Sequence, residues 1–478
     1  MTATWHNHTG NQVCHPRELV RPRSLEDLVD LVHRAESEGT TIHAVGAGHA
    51  WSDVALTDGL LVKPEHLGGL AELDDDTFGQ GAAGRRLVRV LAGTHLRDLN
   101  AALDRIGLAL PNMGGYDAQT LAGVVSTSTH GSGLRFGPFP DLVRSLDVVA
   151  SGGEVVRIEP PDGPTDPASF EAVYGGARRL VQDERAFGAA ICAMGCLGLV
   201  HSLVIEVRER FWLDEVRALG TWEQLRDTLT PDGVLGEGDH YELFLNPYAG
   251  GDGRHRVLVT RRADCPPPDR LPPDKTRRHP LTELEASLPV TGFVLRLLAR
   301  RWPSLIVKRF DDTLAGMVDD GYASLSYKVF NIGEANKLPA YSMELGVALE
   351  DGRHLEAVDR ILEIAAERRA ERVYHTSPIA LRFVAPSRAS ASMMHDRASM
   401  MIELIMVDGT PHGYDLLAGY EERLADLDVR PHWGQYNTLT AERVRALYPR
   451  WEDWLSVHGQ LNASGVFASP FGSRIGLQ

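Results

Sequence analysis

A chain of 478 residues, 43% apolar and 24% charged, is long enough for two or three domains and has the balance of an ordinary folded protein. Its 49 Lys and Arg stand against 65 Asp and Glu, a formal charge of −16, which gives no bulk support to nucleic-acid binding or to attraction by anionic membranes. No run approaches the ~18 consecutive apolar residues of a membrane span.

The first twenty residues, MTATWHNHTGNQVCHPRELV, lack a basic stretch followed by an apolar core, so no secretion signal is expected. Four scattered cysteines (Cys14, Cys192, Cys196, Cys265) make no disulfide framework, and together these features predict a cytoplasmic protein. Residues 15–40 hold an N-cap candidate at Ser24, a helical period through Leu25, Leu28, Val29, Leu31 and Val32, and a stop at Gly39. A short buried strand, Thr41 to Val45, follows and runs into Gly46-Ala47-Gly48-His49. The glycines predict a loop whose bare backbone reaches a ligand, with successive N–H groups forming a concave anion site suited to a pyrophosphate. A Rossmann turn would place a third Gly at position 51, but Trp51 stands there and Ser52-Asp53 continue as a turn.

Residues 88–110 repeat the pattern of strand and helix, the helix running from about Leu96 to Gly107. The stretch PNMGGYDAQTLAGVVSTSTHGSG (111–133), with five glycines among Ser and Thr, reads as backbone lying against a large flat ligand. Residues 143–160 predict a hairpin turning at Gly152-Gly153. Gly195 and Gly198 punctuate an apolar stretch that ends as a strand, and Cys192 and Cys196 lack the partners that zinc spacing needs. Beyond about 210, VRALGTWEQLRDTL (216–229) and LEAVDRILEIAAERRAE (355–371) predict amphipathic helices. YELFLNP, HRVLVTRRAD, LSYKVFNI, YSMELGVAL, IALRFVA and SMMIELIMV predict strands of an antiparallel sheet with helices on one side. Six prolines in 263–282 predict an exposed loop, and the basic clusters at 275–278 and Arg300-Arg301 read as solvated faces.

VGAGHAWSD (45–53) resembles the G-x-G-H-[SA]-x-[ST]-D loop of the vanillyl-alcohol oxidase superfamily of flavoproteins, above all its aldonolactone and alditol oxidase branch. Segment 111–133 is similar to the stretch that covers the flavin ring and pyrophosphate there, and 187–207 to the stretch beside the adenosine half. RPHWGQYN (430–437), YPRWEDWL (448–455) and LNASGVFASPF (461–471) resemble its closing runs. The resemblance implies an α+β fold with a two-subdomain PCMH-type FAD-binding domain over 1–210. A substrate domain with an antiparallel sheet flanked by helices is expected over 211–425, and a segment returning to the flavin over 426–478. FAD is then expected against Val45, Gly46, Ala47, Gly48, His49, Ala50, Ser52, Asp53, Met113, Gly114, Gly115 and Thr120. It is expected also against Gly123, Ser126, Thr127, Thr129, His130, Gly131, Gly195, Gly198, Val200 and His432. The same resemblance implies a covalent 8α-histidyl bond at His49, single because no Cys lies between 14 and 192. No metal is expected.

In polyol and lactone oxidases of this kind a Glu-x-Arg pair and a Lys after His-Trp-Gly bracket the substrate. Here those positions hold Ala380, Arg382 and Gln435, so two charged anchors are missing and a less polar alcohol is expected. His432 is the leading candidate for the base, against a role in packing beside Trp433. Glu344 is a candidate base or a buried partner for Arg382. Tyr436 and Asn437 are candidate donors to substrate, and His375 reads as a loop residue. The expected activity is oxidation of CH–OH to a carbonyl with O₂ as acceptor and H₂O₂ as product. A dehydrogenase using another acceptor, and a flavoenzyme of oxidative cyclisation or non-redox chemistry, stay open. The expected partners are a small alcohol and O₂, with the chain a monomer or small homo-oligomer.

Overall fold

In the computed structural model, residues 3–236, 240–272, 289–332 and 339–477 are described. The Ser24 side chain accepts the Asp27 amide and starts the helix Leu25–Ser37, which turns Leu28, Val32 and Ala35 inward. Beneath it lies a three-stranded parallel sheet with Leu60–Val62 between Glu18–Val20 and Ile42–Ala44. The last of these strands delivers the chain into the 46–50 loop.

A six-stranded sheet forms the second half of this region. Its order is Arg179–Gln182, Val155–Glu159, Val143–Val149, Leu199–Glu206, Leu87–Leu91 and Leu70–Ala71. The hairpin expected at 143–160 is present, with Gly152 at φ 72° in its turn. So is the helix after the 87–91 strand, Leu96–Arg105.

The eight-stranded sheet that follows comprises β1 (Trp212–Thr221), β2 (His240–Leu245), β3 (Arg256–Cys265), β4 (Asp319–Leu325), β5 (Ala340–Ala348), β6 (Ile379–Val384), β7 (Ser399–Val407) and β8 (Arg430–Pro431). Its order is β4-β1-β3-β2-β6-β7-β5-β8, antiparallel throughout. Alternation decides what each face carries. Leu243, Leu381, Ile402, Leu404 and Leu345 pack under the helices Arg353–Ala370 and Gly413–Arg423, through Val358, Ile361, Leu416 and Tyr420. The residues between them, Glu242, Arg382, Glu403 and Glu344, point to the opposite face.

Two expectations fail here. Residues 216–221, predicted as helix, belong to β1, which pairs along its length with β3 and along part of it with β4; the helical part is confined to Trp222–Leu225 and a 3-10 turn at Arg226–Thr228. Pairing with β3 satisfies the backbone that the amphipathic pattern had assigned to a helix, and β4 reaches Arg217 from the other side. LSYKVFNI is the converse: β4 ends at Leu325 and Ser326–Phe330 is helical. Of the predicted Pro-rich loop, 266–272 carries no regular structure, and 273–282 lies outside the described residues.

The C-terminal segment ties both regions together. Arg430 donates to the carbonyls of Leu447 and His395, Trp454 donates to Cys192 O, and Val466 O accepts from the Ile42 amide. Among the described residues no helix is long and apolar enough to cross a membrane.

Candidate active site

A cavity of about 540 Å³ runs from the 46–50 loop to the polar face of the eight-stranded sheet. At the loop end the amides of Gly46, Ala47, Gly48, His49 and Ala50 donate to no other group among the described residues. Five successive free N–H groups beside a cavity make an anion-binding nest. The loop is fixed from outside: the Trp51 amide donates to Gly434 O at 2.7 Å and Ser52 Oγ to Trp433 O at 2.6 Å. Gly46 is tightly packed: a Cβ there would meet Thr120 Oγ1 at 2.2 Å and force that side chain to move. That hydroxyl is buried and has no hydrogen-bond partner of its own.

His49 packs between His8 (ring centroids 4.5 Å) and the edge of Tyr116 (4.8 Å). Burial, helped by the nearby His8 and His95, pushes its imidazole down to about 4, so it is neutral at physiological pH. On the far side Gly195, at φ 77°, backs onto the His43 ring, 2.7 Å from where a Cβ would stand.

At the sheet end, Arg382 Nε donates to Glu242 Oε1 at 2.8 Å and Nη1 to Glu403 Oε2 at 2.7 Å; Glu344 Oε1 is 3.7 Å away. Glu242 is shared with Arg262, which also holds Glu215, and Arg217 completes the chain of charges. Gln435 presents its amide nitrogen to both Glu344 Oε2 and Glu403 Oε1 at 3.3 Å, while its oxygen accepts from Ser342. A neutral amide thus spans two carboxylates where the family resemblance led to a Lys.

The strand register changes the meaning of Ala380. Ala380 lies directly opposite Glu403, and Glu403 opposite Glu344. The carboxylate missing from 380 is therefore supplied one strand away and bonds the same guanidinium. Positions 380 and 435 are uncharged as the sequence has them, but Glu403 brings a carboxylate to the Arg382 guanidinium from the position facing Ala380. Apolar walls do remain, from Phe244, Leu295, Met317, Ile332, Ile405 and Val407.

Glu344 sits against His130, Nε2 to Oε1 at 3.3 Å. Burial would raise the Glu344 carboxyl, but His130, His432 and Arg382 hold it well below the ordinary range. Its Oε1 accepts no hydrogen bond of good geometry from the chain. His432 differs from what a base needs. Its Nδ1 accepts the Gly434 amide at 3.0 Å, so the neutral ring carries hydrogen on Nε2 and acts as a donor. Burial, partly opposed by Glu344, takes it down to about 4.

Of the expected cofactor residues, all but four line the cavity. Ser52 is spent on Trp433, and Asp53 pairs with Arg474 at 2.6 Å. Met113 is buried beside Asn100, and Gly131 packs on Asn112, whose Oδ1 a Cβ would meet at 2.4 Å. Glu344, Arg382, His432 and Gln435 all reach the cavity. Tyr436 turns away to Tyr414, Asn437 is held by Arg474, and His375 is fully buried beside Tyr420. Glu242 and Glu403 were not singled out from sequence. Their spacing in alternating strands marked them as facing one side, but only the register sets them beside Arg382.

Residues 16–159 match the family of FAD-binding domains, and residues 205–475 match the D-arabinono-1,4-lactone oxidase family. The chain belongs to that family. It is an FAD-dependent oxidoreductase of the aldonolactone and alditol oxidase branch, with a PCMH-type FAD-binding fold. It is 28% identical to the L-gulono-1,4-lactone dehydrogenase of Mycobacterium tuberculosis, over 99% of both chains. It is 29% identical to the alditol oxidase of a Streptomyces species, over 97% of both. Among solved structures, a solvent-stable cholesterol oxidase aligns with TM-score 0.78 and 15% identity over 100% of this chain and 98% of that one, a likeness of fold. The groups present fit FAD: the amide nest would take the diphosphate charge, and the buried Thr120 hydroxyl, without a partner among the described residues, would gain an acceptor.

Proposed function

We propose that this flavoenzyme is an oxidase that converts a CH–OH group to a carbonyl with O₂ as acceptor. One observation carries the reading: a single cavity joins the amide nest and His49 to the Arg382, Glu344 and Gln435 cluster. FAD held by the amide nest would supply the hydride-accepting chemistry. The tether is a single bond from His49, whose ring, neutral and desolvated, is available as a nucleophile.

The chain's own groups then have separate tasks. Arg382 orients the substrate oxygen, held in place by Glu242 and Glu403. Glu344, ionised and with no hydrogen bond of good geometry on Oε1, accepts the hydrogen bond of the substrate hydroxyl. His432 donates through Nε2–H, and Gln435 keeps Glu344 and Glu403 apart without adding a charge. The substrate has one polar end at this cluster and an apolar body against Phe244, Leu295 and Ile405, less polar than a polyol or aldonolactone.

Anaerobic mixing with a panel of alcohols, followed at the flavin absorbance and then opened to air, tests this. Bleaching followed by rapid recovery with H₂O₂ release is expected for amphiphilic alcohols. Bleaching that only a quinone or dye reverses replaces the oxygen half of the reading with a dehydrogenase. No bleaching by any alcohol overturns it.

A further inference from the structure

The formal charge of −16 conceals one segment of the opposite kind. From 289 to 309 the sequence is PVTGFVLRLLARRWPSLIVKR, with Arg296, Arg300, Arg301, Lys308 and Arg309 and no acidic residue. It forms the helix Pro289–Arg301 and the short helix Pro303–Val307. Both present large apolar side chains to solvent: Phe293 is 68% exposed, Trp302 51%, Leu305 48% and Leu297 44%. Arg296 pairs with Asp408 and Arg309 with Asp312, whereas Arg300, Arg301 and Lys308 are exposed and pair with nothing among the described residues. An exposed aromatic and aliphatic face beside unpaired cations is what an interfacial helix shows.

Its position adds the second observation. Leu295, one residue from exposed Val294, lines the active-site cavity, and so does Met317, beside exposed Val318. Both lining residues are half-buried, while Glu344 is 2% exposed, so the patch borders the less buried wall of the cavity.

We propose that this patch is a docking surface for an anionic lipid bilayer, which brings the adjoining cavity wall to the hydrocarbon boundary. Phe293, Leu297, Trp302 and Leu305 enter the headgroup layer, and Arg300, Arg301 and Lys308 meet lipid phosphates. A second copy of this acidic chain meets the cations but leaves the apolar face unexplained; a bilayer satisfies both.

The test is co-sedimentation of the flavin-loaded protein with sucrose-filled vesicles of phosphatidylglycerol and phosphatidylcholine in equal parts, against vesicles of phosphatidylcholine alone. Binding to the anionic vesicles is expected, at least ten-fold above the neutral ones and weakened by 0.5 M salt (a concentration well beyond physiological screening, about 0.15 M). R300E/R301E and F293S/W302S are each expected to lower it ten-fold or more, with flavin absorbance and unfolding midpoint retained as controls of folding. No binding to anionic vesicles, or binding that both variants keep, overturns the proposal. So does a dimer in analytical ultracentrifugation that F293S/W302S converts to monomer, since the patch is then covered by a second copy.

Discussion

Moving one carboxylate by one strand tests the reading of the Arg382 cluster. Glu403→Ala removes the partner 2.7 Å from Nη1, from a side chain that is only 13% exposed, and leaves Arg382 with Glu242 and the more distant Glu344. Breaking a buried pair from one side costs roughly 3–5 kcal/mol, and the residual exposure and the retained Glu242 put this case at about 3 kcal/mol. Ala380→Glu alone adds a further carboxylate to a site already holding Glu242, Glu344 and Glu403, and overfills a fully buried position, at a cost of about 2 kcal/mol. The two positions are directly opposed across β6 and β7, where facing Cβ atoms stand roughly 5 Å apart. In the double variant the carboxylate therefore reaches the same guanidinium in the space that Glu403 vacates. The expected coupling is favourable by about 2 kcal/mol or more, read from urea unfolding of the four proteins and, in parallel, from the rate of anaerobic flavin bleaching. A double variant whose losses equal the sum of the singles to within about 0.5 kcal/mol would refute the idea that Glu403 stands in for a carboxylate at 380.

Acid precipitation of the protein should carry the yellow colour into the pellet, and His49→Ala should release it to the supernatant; colour in the wild-type supernatant removes the covalent bond while leaving FAD binding. Gly46→Ala should lose flavin, and Gly46→Ala with Thr120→Ala should regain much of it, because the 2.2 Å clash is with Oγ1 whereas Thr120 Cβ lies at 3.4 Å; equal flavin content in wild type and Gly46→Ala contradicts the packed loop. The pH dependence of stability has a defined sign. Burial takes His375 to about 3 from an ordinary 6.5, so below pH 6.5 the unfolded chain binds a proton that the folded one refuses, and stability falls as pH falls toward 3. His375→Phe should remove about 1.4 kcal/mol per pH unit from the slope of unfolding free energy between pH 6 and 4, and an unchanged slope counts against a neutral buried ring.

The local order of the chain determined a good deal. Ser24, the 3.6 period after it and Gly39 are enough to place the first helix, because a cap, an apolar stripe and a stop act within a few residues of one another. The 46–50 loop and the glycines at 114, 115, 195 and 198 are legible for the same reason: close backbone approach needs Gly wherever the fold puts the ligand. What the sequence left undecided depends on partners far along the chain. Residues 216–221 have a helical pattern but lie in β1 because β3 pairs with all of them. His432 has the pKa of a base in isolation, yet the Gly434 amide occupies its acceptor nitrogen. Ala380 and Gln435 read as lost charges in a one-dimensional comparison, while the register that sets Glu403 opposite Ala380 restores one of them. Side-chain type is written residue by residue, but which carboxylate meets which guanidinium follows from strand pairing, and pairing minimises the free energy of the whole sheet.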